Sequence, residues 1–325
     1  MKINNNFDFL RLFLASSVVW HHFLLLTQQS IAFIPFDIID RELAVKAFFV
    51  ISGGLIWASA ARTHDVKTYL KKRFFRVYPA YIFVLVLFSI VALCMFSATV
   101  SDVFSYLFWN SVFLNFVHPC IGSMFENNVL CAVNGSLWTL KLEVGFYIFV
   151  SFCFYVYARK SIEILKSFTL VSVLLSFIFT ILFPGFINDT YLNQLPFMFF
   201  YFGFGALLFS FYKELSVKNN TLIFMSAAVL YYLSETFYPL FVITFVYYFA
   251  YGLPFKIDLS RLGDLSYGTY IFHFPLIQLF IALNMLTGDK YLDVSIIFIL
   301  VYTFSFLSWR FLEKPFIQFT HRIKS

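Results

Sequence analysis

Ionisable side chains interrupt an apolar stretch near the start of the chain. In FLRLFLASSVVWHHF, residues 9–23, Arg11, His21 and His22 lie among aliphatic and aromatic residues. On an α-helix, Arg11 and His22 share one face to within ~20° and lie ~16 Å apart along the axis, whereas His21 points ~100° away from His22. Such groups inside a membrane normally face the bundle interior and mark a site, which predicts a cation and a titratable base on one face. The alternative is an arginine that reaches the lipid headgroups and a histidine bonded within the packing.

A carboxylate in NGSLWTLKLEVGFY, residues 134–147, is the second candidate. Glu143 is about six residues, or ~9 Å, from the predicted outer end of its helix, and His22 is about as far from the outer end of its own. A carboxylate beside an imidazole fixes its tautomer and raises its basicity. The depth therefore predicts that Glu143 assists His22 as a general base. A structural ion pair of Glu143 with Lys46 or Lys141 is the alternative.

A basic cluster in YLKKRFFRVYPAY, residues 69–81, is the third candidate. Arg73 and Arg76 are three positions apart and share one side of a helix turn. Arg11 and Arg310 are predicted near the same membrane face, with His273 about one and a half turns above it. Several guanidinium groups suit a polyphosphate ligand, because the arginine fork matches phosphate oxygens. Alone, the cluster is also typical of a topology determinant beside anionic headgroups.

The composition indicates the elements that must hold these residues. Of the 325 residues, 61% are hydrophobic and only 12% are charged, with 49 Phe and 20 Tyr. A soluble protein has about 25% charged residues, so this composition predicts an all-α polytopic membrane protein. The net charge of +6 follows from topology rather than from nucleic-acid binding. The first apolar stretch lacks a small-residue cleavage pattern, which predicts a retained helix rather than a signal peptide.

Crossing a bilayer takes about 20 residues per helix, which predicts ten spans in a single domain over residues 1–325. The predicted spans are 7–28, 43–61, 79–97, 137–157, 165–183, 195–212, 220–234, 237–252, 266–286 and 293–312. Residues 101–118 are apolar but contain Asn110, Asn115 and His118, which favours an interfacial or re-entrant segment.

The distribution of basic residues predicts the orientation of these spans. Of the 23 Lys and Arg residues, 17 fall in the tails and alternate loops on one side, two fall in the opposite loops, and four lie within spans. Basic loops stay in the cytoplasm, so both termini are predicted to be cytoplasmic.

Six sequence elements in order resemble the acyltransferase-3 family, the integral membrane O-acyltransferases of bacteria. RLFLASSVVWHH resembles the Arg–x10–His motif of the first helix, AVKAFFVISGGLI the FFVLSGFLI signature and KKRFFRVYPAY the RxxRIYP element. NGSLWTLKLEV resembles LWSLSVEE, LSYGTYIFHFP resembles SYxxYLxHxP, and WRFLEKPF resembles WxxxExP. Two positions depart from the family pattern: Lys46 lies where many members have an acid, and Val144 replaces the second acid of the EE pair.

The resemblance implies an enzyme of the bacterial cytoplasmic membrane with a cytoplasmic acyl-CoA donor, most often acetyl-CoA. It implies an acceptor hydroxyl on a cell-surface glycan or a lipid-linked precursor, and no metal. The catalytic residues would be His22 and Glu143, and the CoA phosphates would lie on Arg73, Arg76 and Arg11. A covalent acyl-imidazole on His22 is the alternative to direct transfer. A different class, a proton-coupled exporter, would also explain buried Arg, His and Glu, but no paired halves are evident.

Two cysteines lie in the long segment 98–136, which contains no Lys or Arg and is therefore predicted to lie outside the cytoplasm. Paired thiols close readily in an oxidising compartment, so Cys120 and Cys131 are predicted to form a disulfide, with two unpaired thiols as the alternative. Cys94 and Cys153 lie singly in predicted spans as small apolar residues.

Overall fold

The computed structural model of the chain is built from α-helices, with no β-strand in the part that it describes. The described part comprises residues 6–63, 65–157, 195–211, 220–253, 255–259 and 262–322, with isolated positions between 158 and 194. Within these ranges the predicted all-α fold class is confirmed.

The helices are numbered in chain order. They are α1 (Phe7–Thr27), α2 (Ile34–Asp37), α3 (Arg41–Ala61), α4 (Val66–Met95), α5 (Val100–Ser111), α6 (Trp138–Tyr157), α7 (Leu195–Phe211), α8 (Asn220–Leu233), α9 (Tyr238–Tyr247), α10 (Ser266–Ala282), α11 (Lys290–Ser308) and α12 (Lys314–Arg322). Wider π-type turns continue α9 over Tyr248–Gly252 and join α11 to α12 over Trp309–Glu313.

Nine of the ten predicted spans coincide with described helices, and the span at 165–183 is described only at isolated positions. By length and composition, four helical stretches in the described part are long and apolar enough to cross a membrane: Phe7–Thr27, Arg41–Ala61, Val66–Met95 and Lys290–Thr320. The chain is therefore a membrane protein with several apolar helices. The count of ten and the cytoplasmic termini stay predictions.

Helix α4 begins earlier than its predicted span. The span was expected from residue 79, but the helix starts at Val66 and continues through Pro79. Asp65 begins it, because its side chain accepts a hydrogen bond from the Thr68 backbone N–H at 2.7 Å. That bond also lowers the pKa of the Asp65 carboxyl. Arg73 and Arg76 consequently lie on the same continuous helix as the apolar span that follows them.

The segment predicted to be interfacial forms the short helix α5 and a polar turn after it. Asn110 donates to the backbone carbonyls of Tyr106 and His118, both at 2.8 Å. The Tyr81 hydroxyl donates to the Asn110 carbonyl at 2.6 Å and accepts from Asn115 at 2.9 Å. These buried amides satisfy the backbone where the chain leaves the helix, which explains why α5 ends after 12 residues.

The described residues form two compact units that alternate along the chain, so the predicted single domain stays a prediction. The first unit comprises the described parts of Met1–Leu14, Glu42–Leu70 and Leu142–Asp258. Helices α3 and α7 approach closely there, because Gly53 and Gly205 face backbone carbonyls: an added Cβ would lie 1.9 Å from the Phe202 oxygen or the Val50 oxygen. Small residues allow such close contact between membrane helices.

The second unit comprises the described parts of Ala15–Arg41, Lys71–Lys141 and Leu259–Ser325. Helix α10 is its most buried element, with 14 buried residues from Ser266 to Phe280. It packs closely on α11, since a Cβ added to Gly268 would lie 2.8 Å from the Ser305 Cα. The hydroxyls of Thr269 and Ser305 are 3.2 Å apart across this contact. The chain thus surrounds α10 and positions its polar side chains internally.

Candidate active site

Two histidines from distant parts of the chain meet within the second unit. His22 on α1 and His273 on α10 are 251 residues apart, and their Nδ1 and Nε2 atoms are 2.8 Å apart. The rings are nearly parallel, with centroids 5.0 Å apart. The exposed fraction is 7% for His22 and 0% for His273. The structure therefore pairs the predicted base with a second imidazole.

The hydrogen bonds of His273 determine which nitrogen of His22 is available. His273 Nδ1 lies 3.1 Å from the Thr269 carbonyl, which can only accept, so this nitrogen carries the proton. In the neutral pair, His273 Nε2 is then the acceptor and His22 Nδ1 the donor. The lone pair of His22 is consequently on Nε2, where it can accept a proton from a substrate.

An aromatic ring completes the surroundings of this pair. The Phe274 ring meets the His22 ring edge-on at 5.2 Å and the His273 ring at 6.4 Å. Phe274 is itself 2% exposed. The ring limits the room around His22 on that side and separates the imidazole from solvent.

The neighbouring histidine has a different role in the structure. His21 Nε2 lies 3.0 Å from the carbonyl of Phe36 and 2.9 Å from that of Ile39. The Ser17 hydroxyl also donates to the Ile39 carbonyl, at 2.6 Å. His21 therefore ties α1 to the backbone around α2, while His22 contacts α10. The two adjacent rings contact different segments, as expected from their angular separation on a helix.

Glu143 belongs to the first unit, where its carboxylate accepts a hydrogen bond from the Tyr147 hydroxyl one turn later on α6. The two lysines that were candidates for pairing with it have other neighbours. Lys46 forms an ion pair with Glu42 and lies 4.6 Å from the centroid of the Tyr238 ring. Lys141 lies over the Phe116 ring. The predicted interaction of Glu143 with His22 stays a prediction.

Arg76 is bound by two carboxylates, one just before α10 and one in the turn before α12. Its Nη2 pairs with Asp264, and its Nη1 lies 3.2 Å from Glu313 Oε2. The guanidinium also lies over the rings of Tyr267 and Trp309, at 5.9 and 5.8 Å. Glu313 is 1% exposed, and the side chains of Arg76 and Asp264 are each 19% exposed. This "Arg76 cluster" (Arg76, Asp264, Tyr267, Trp309, Glu313) connects α4 with α10 and with the turn before α12.

Local backbone features aim the two carboxylates at Arg76. Asp264 accepts from the Ser266 backbone N–H at 3.3 Å and from its hydroxyl at 2.6 Å, which anchors the first turn of α10. Glu313 lies in the π-type turn and accepts from the Ser308 hydroxyl at 3.1 Å. Gly263 has φ +80°, and a Cβ there would lie 1.8 Å from the Trp309 indole nitrogen. Only glycine fits this turn, so the sequence is locally adapted to the cluster.

The other basic residues of the predicted phosphate site are distributed as follows. Arg73 is half-buried, one turn before Arg76 on α4. Arg11 is half-buried on α1 and belongs to the first unit, and Arg310 is exposed. The structure therefore joins Arg76 to two carboxylates, and the phosphate-binding role of Arg11, Arg73 and Arg76 stays a prediction. Among the described residues, no group of three or more His, Cys, Asp or Glu could hold a metal ion.

The sulfur atoms of Cys120 and Cys131 are 2.01 Å apart, at bonding distance, and their Cα atoms are 5.4 Å apart. Cys94 is exposed and Cys153 is buried, both as free thiols. The cross-link closes the segment before α6, whose residues contact α10 on the side of the histidine pair.

Comparison with known proteins gives these residues a context. A family model described as an acyltransferase domain, that of the acyltransferase-3 family, matches residues 4–310. The chain belongs to the acyltransferase-3 family. It is 27% identical over 350 aligned positions to an O-acetyl transferase of Shigella phage Sf6, covering 98% of this chain and 97% of that protein. It is 28% identical over 155 positions to nodulation protein 10 of Rhizobium leguminosarum bv. viciae, covering 44% and 42% of the two chains. No solved structure matches the chain.

Membership in the acyltransferase-3 family makes the chain an acyltransferase. The exporter interpretation is therefore set aside. Sequence reasoning had found His273 as a motif residue but grouped it with the arginines, whereas the structure places it on His22. Asp264 and Glu313 had not been recognised as partners of Arg76. A signal existed for Glu313, since this acid lies in WRFLEKPF, the last of the six elements that resemble the family.

Proposed function

We propose that this acyltransferase moves an acetyl group from acetyl-CoA to a hydroxyl of a cell-surface glycan or of its lipid-linked precursor. The buried His22–His273 pair, which leaves the His22 Nε2 lone pair available, is the observation that carries the proposal. The O-acetyl transferase of phage Sf6, similar along nearly the whole chain, supports the acetyl donor. Apolar helices and the asymmetry of basic residues support a place in the bacterial cytoplasmic membrane.

In this mechanism His22 acts as a general base. Its Nε2 takes the proton of the acceptor hydroxyl while that oxygen attacks the carbonyl carbon of the thioester. An ester C–O bond forms, the C–S bond breaks, and the CoA sulfur leaves with the proton from His22. His273 holds the His22 ring in the tautomer that this transfer needs and shares the positive charge that develops on it.

The donor would bind through its phosphates at the basic side of α4. Arg73 is the direct phosphate ligand in this proposal, and Arg11 is a further candidate ligand. Arg76 would act through the carboxylates that it binds, by positioning the start of α10. Glu143, whose carboxylate accepts a hydrogen bond from Tyr147, is the second acid–base candidate of this proposal.

The central experiment follows label from radioactive acetyl-CoA into the envelope glycan of membranes that contain wild type or variants. We expect His22→Gln to lose transfer by a factor of about 10²–10⁴, the usual contribution of a general base. His21→Gln is the matched control, expected to keep most activity because its ring contacts backbone carbonyls near α2. Transfer by His22→Gln at the wild-type rate would overturn the proposal.

The same experiment separates direct transfer from a covalent acyl-histidine. Label that remains on the washed wild-type protein without acceptor, and is absent from His22→Gln, would indicate the covalent route. Glycan NMR with and without the gene would identify the acetylated hydroxyl.

The donor site needs its own pair of variants. Arg73→Ala should weaken acetyl-CoA binding, and Arg73→Lys should restore part of it, because a point charge lacks the bidentate fork. Lys71→Ala, an exposed cation on the same helix, is the control and should bind acetyl-CoA as wild type does. Unchanged affinity in Arg73→Ala would remove Arg73 from the donor site.

A further inference from the structure

Helix α10 contains a proline two residues after His273, which has a consequence for its backbone. Pro275 has no N–H, so the carbonyl of Ile271, four residues earlier, loses its helical hydrogen bond. A buried carbonyl without a donor is costly, particularly inside a membrane protein. Ile271 is two residues before His273, so the carbonyl without a helical donor is in the same turn of α10 as the imidazole.

The structure supplies the missing donor from a distant loop. Asn134 Nδ2 donates to the Ile271 carbonyl at 2.8 Å, across 137 residues of sequence. Asn134 is 6% exposed, and its Oδ1 accepts from the Ser136 backbone N–H at 3.2 Å and from its hydroxyl at 2.7 Å. Both ends of the amide are therefore used, and its orientation is determined by these bonds.

The next residue of the loop meets the ring beside the histidines. A Cβ added to Gly135 would lie 2.7 Å from the Phe274 ring carbon Cζ, so this position has no room for a side chain. Phe274 in turn contacts the His22 ring edge-on at 5.2 Å. A continuous line of contacts thus runs from Gly135 through Phe274 to His22.

We propose that Asn134 and Gly135 are positioning residues for the His22–His273 pair. Asn134 replaces the hydrogen bond that Pro275 removes and so sets the local path of α10 at His273. Gly135 sets the position of the Phe274 ring against His22. The inference rests on the proposed function, because it assumes that His22 is the base, but it concerns residues that touch neither the acyl group nor the donor.

The test is a rescue in which the helix recovers its own donor. Asn134→Ala removes the loop amide, and we expect the kcat for transfer from acetyl-CoA to fall by about tenfold, with the KM for acetyl-CoA within twofold of wild type. Adding Pro275→Ala returns an N–H to position 275, which can donate to the Ile271 carbonyl. The double variant should therefore recover to within about threefold of Pro275→Ala alone, because the two substitutions affect one carbonyl and are not additive.

A control substitution in the same loop, at a residue that also bonds α10, separates this role from a general loss of contacts between the loop and the helix. Asn128 donates to the Gln278 backbone carbonyl at 2.9 Å, near the end of α10 and beyond the proline. Asn128→Ala should keep transfer within twofold of wild type. Hydrogen exchange of the amides in α10 provides a readout independent of activity. It should increase around residues 271–276 in Asn134→Ala and return in the double variant.

The outcomes are decisive in either direction. Full activity in Asn134→Ala, or a double variant about tenfold slower than Pro275→Ala alone, would overturn the inference. Gly135→Ala is the second variant and should lower kcat by displacing Phe274. A wild-type kcat in Gly135→Ala would show that the contacts from Gly135 through Phe274 do not position His22. Loss of transfer in these variants while His22→Gln stays active would instead refute the proposed function, so the two failures are distinguishable.

Discussion

The start and the middle of α10 are held in place by different kinds of interaction. At the start, Asp264 and Glu313 bind Arg76, and two of these three side chains are 19% exposed. In the middle, neutral groups make the contacts: the Asn134 amide donates to Ile271, and the Tyr270 hydroxyl donates to the Ser136 carbonyl at 2.9 Å. One helix thus has a charged anchor at one end and an uncharged one beside the histidines.

The difference follows from the cost of desolvation. An ion pair removed from water loses hydration that its attraction repays only with good geometry, so charges are best kept where some water reaches them. An amide or hydroxyl costs less to bury when all of its hydrogen bonds are made. The helix therefore uses charge at its partly exposed start and neutral hydrogen bonds around the buried imidazoles.

The largest expected effect is on the charged anchor. Arg76→Ala removes an ion-pair partner from Glu313, which is 1% exposed, and breaking such a pair costs about 3–5 kcal/mol of unfolding free energy. Thermal unfolding of the detergent-purified protein measures this, and Glu313→Gln in the Arg76→Ala background should recover part of it. Arg310→Ala, an exposed arginine three residues before Glu313, is the control and should change stability by less than about 0.5 kcal/mol. Normal stability with lost acetyl-CoA binding in Arg76→Ala would return Arg76 to the phosphate site.

A second substitution tests the uncharged contact between His22 and His273 in the middle of α10. His273→Phe keeps a ring of similar shape but removes the acceptor of the His22 Nδ1 proton. We expect kcat for transfer to fall by about 10–100-fold, the usual loss when a group that orients a catalytic imidazole is removed, with the KM for acetyl-CoA unchanged. Wild-type kcat in this variant would show that the pair is structural only.

The Cys120–Cys131 disulfide closes the segment whose neutral hydrogen bonds hold the middle of α10, and removing it tests whether that closure is needed. Cys120→Ser with Cys131→Ser should lower stability by about 2–3 kcal/mol, because the closed loop is short and the cross-link acts mainly on unfolded-chain entropy. Labelling with a membrane-impermeant maleimide on intact spheroplasts checks the oxidation state, and Cys94→Ser removes the signal of the exposed free thiol. Labelling of both Cys120 and Cys131 before reduction would contradict the bond.

The smallest effect is expected at the far end of α10. Gln278 donates to the carbonyls of Leu130 and Ala132 at 2.6 and 2.9 Å. Gln278→Leu removes both bonds, but Leu130 is 43% exposed and its carbonyl can be hydrated after a small movement. We expect a loss of about 1–2 kcal/mol and faster hydrogen exchange near residues 128–132, with little change in kcat. A loss of kcat as large as that of His273→Phe would mean that the whole loop positions the histidines.

Local patterns identified much of the fold and several residues of the candidate site. Apolar length located nine described helices, because each span must satisfy its own backbone in the absence of water. The type and rarity of His22 in an apolar stretch singled it out, since an ionisable group at such depth needs a reason. Helix periodicity separated His22 from His21, whose ring indeed contacts a different segment.

Contacts between distant segments were beyond these patterns. The depth estimate for His273 counted residues from the start of its helix, which assumes that helices begin in one plane. Helix α10 starts seven residues before His273 and α1 starts fifteen residues before His22, yet the two rings touch. The rotation of each helix and its axial offset depend on packing partners, so residue counts along separate helices cannot predict which side chains meet.

The sequence by itself determined the membrane class, the family and the candidate base, because hydrophobic length, composition and short motifs are local properties. Only the tertiary structure decided the partner of each residue. Arg76 became an ion-pair centre because α4, the start of α10 and the turn before α12 converge on it. Asn134 became a hydrogen-bond donor because Pro275 frees a carbonyl that the loop happens to reach. Such bonds join residues more than a hundred positions apart, and their energy depends on geometry that no local pattern contains.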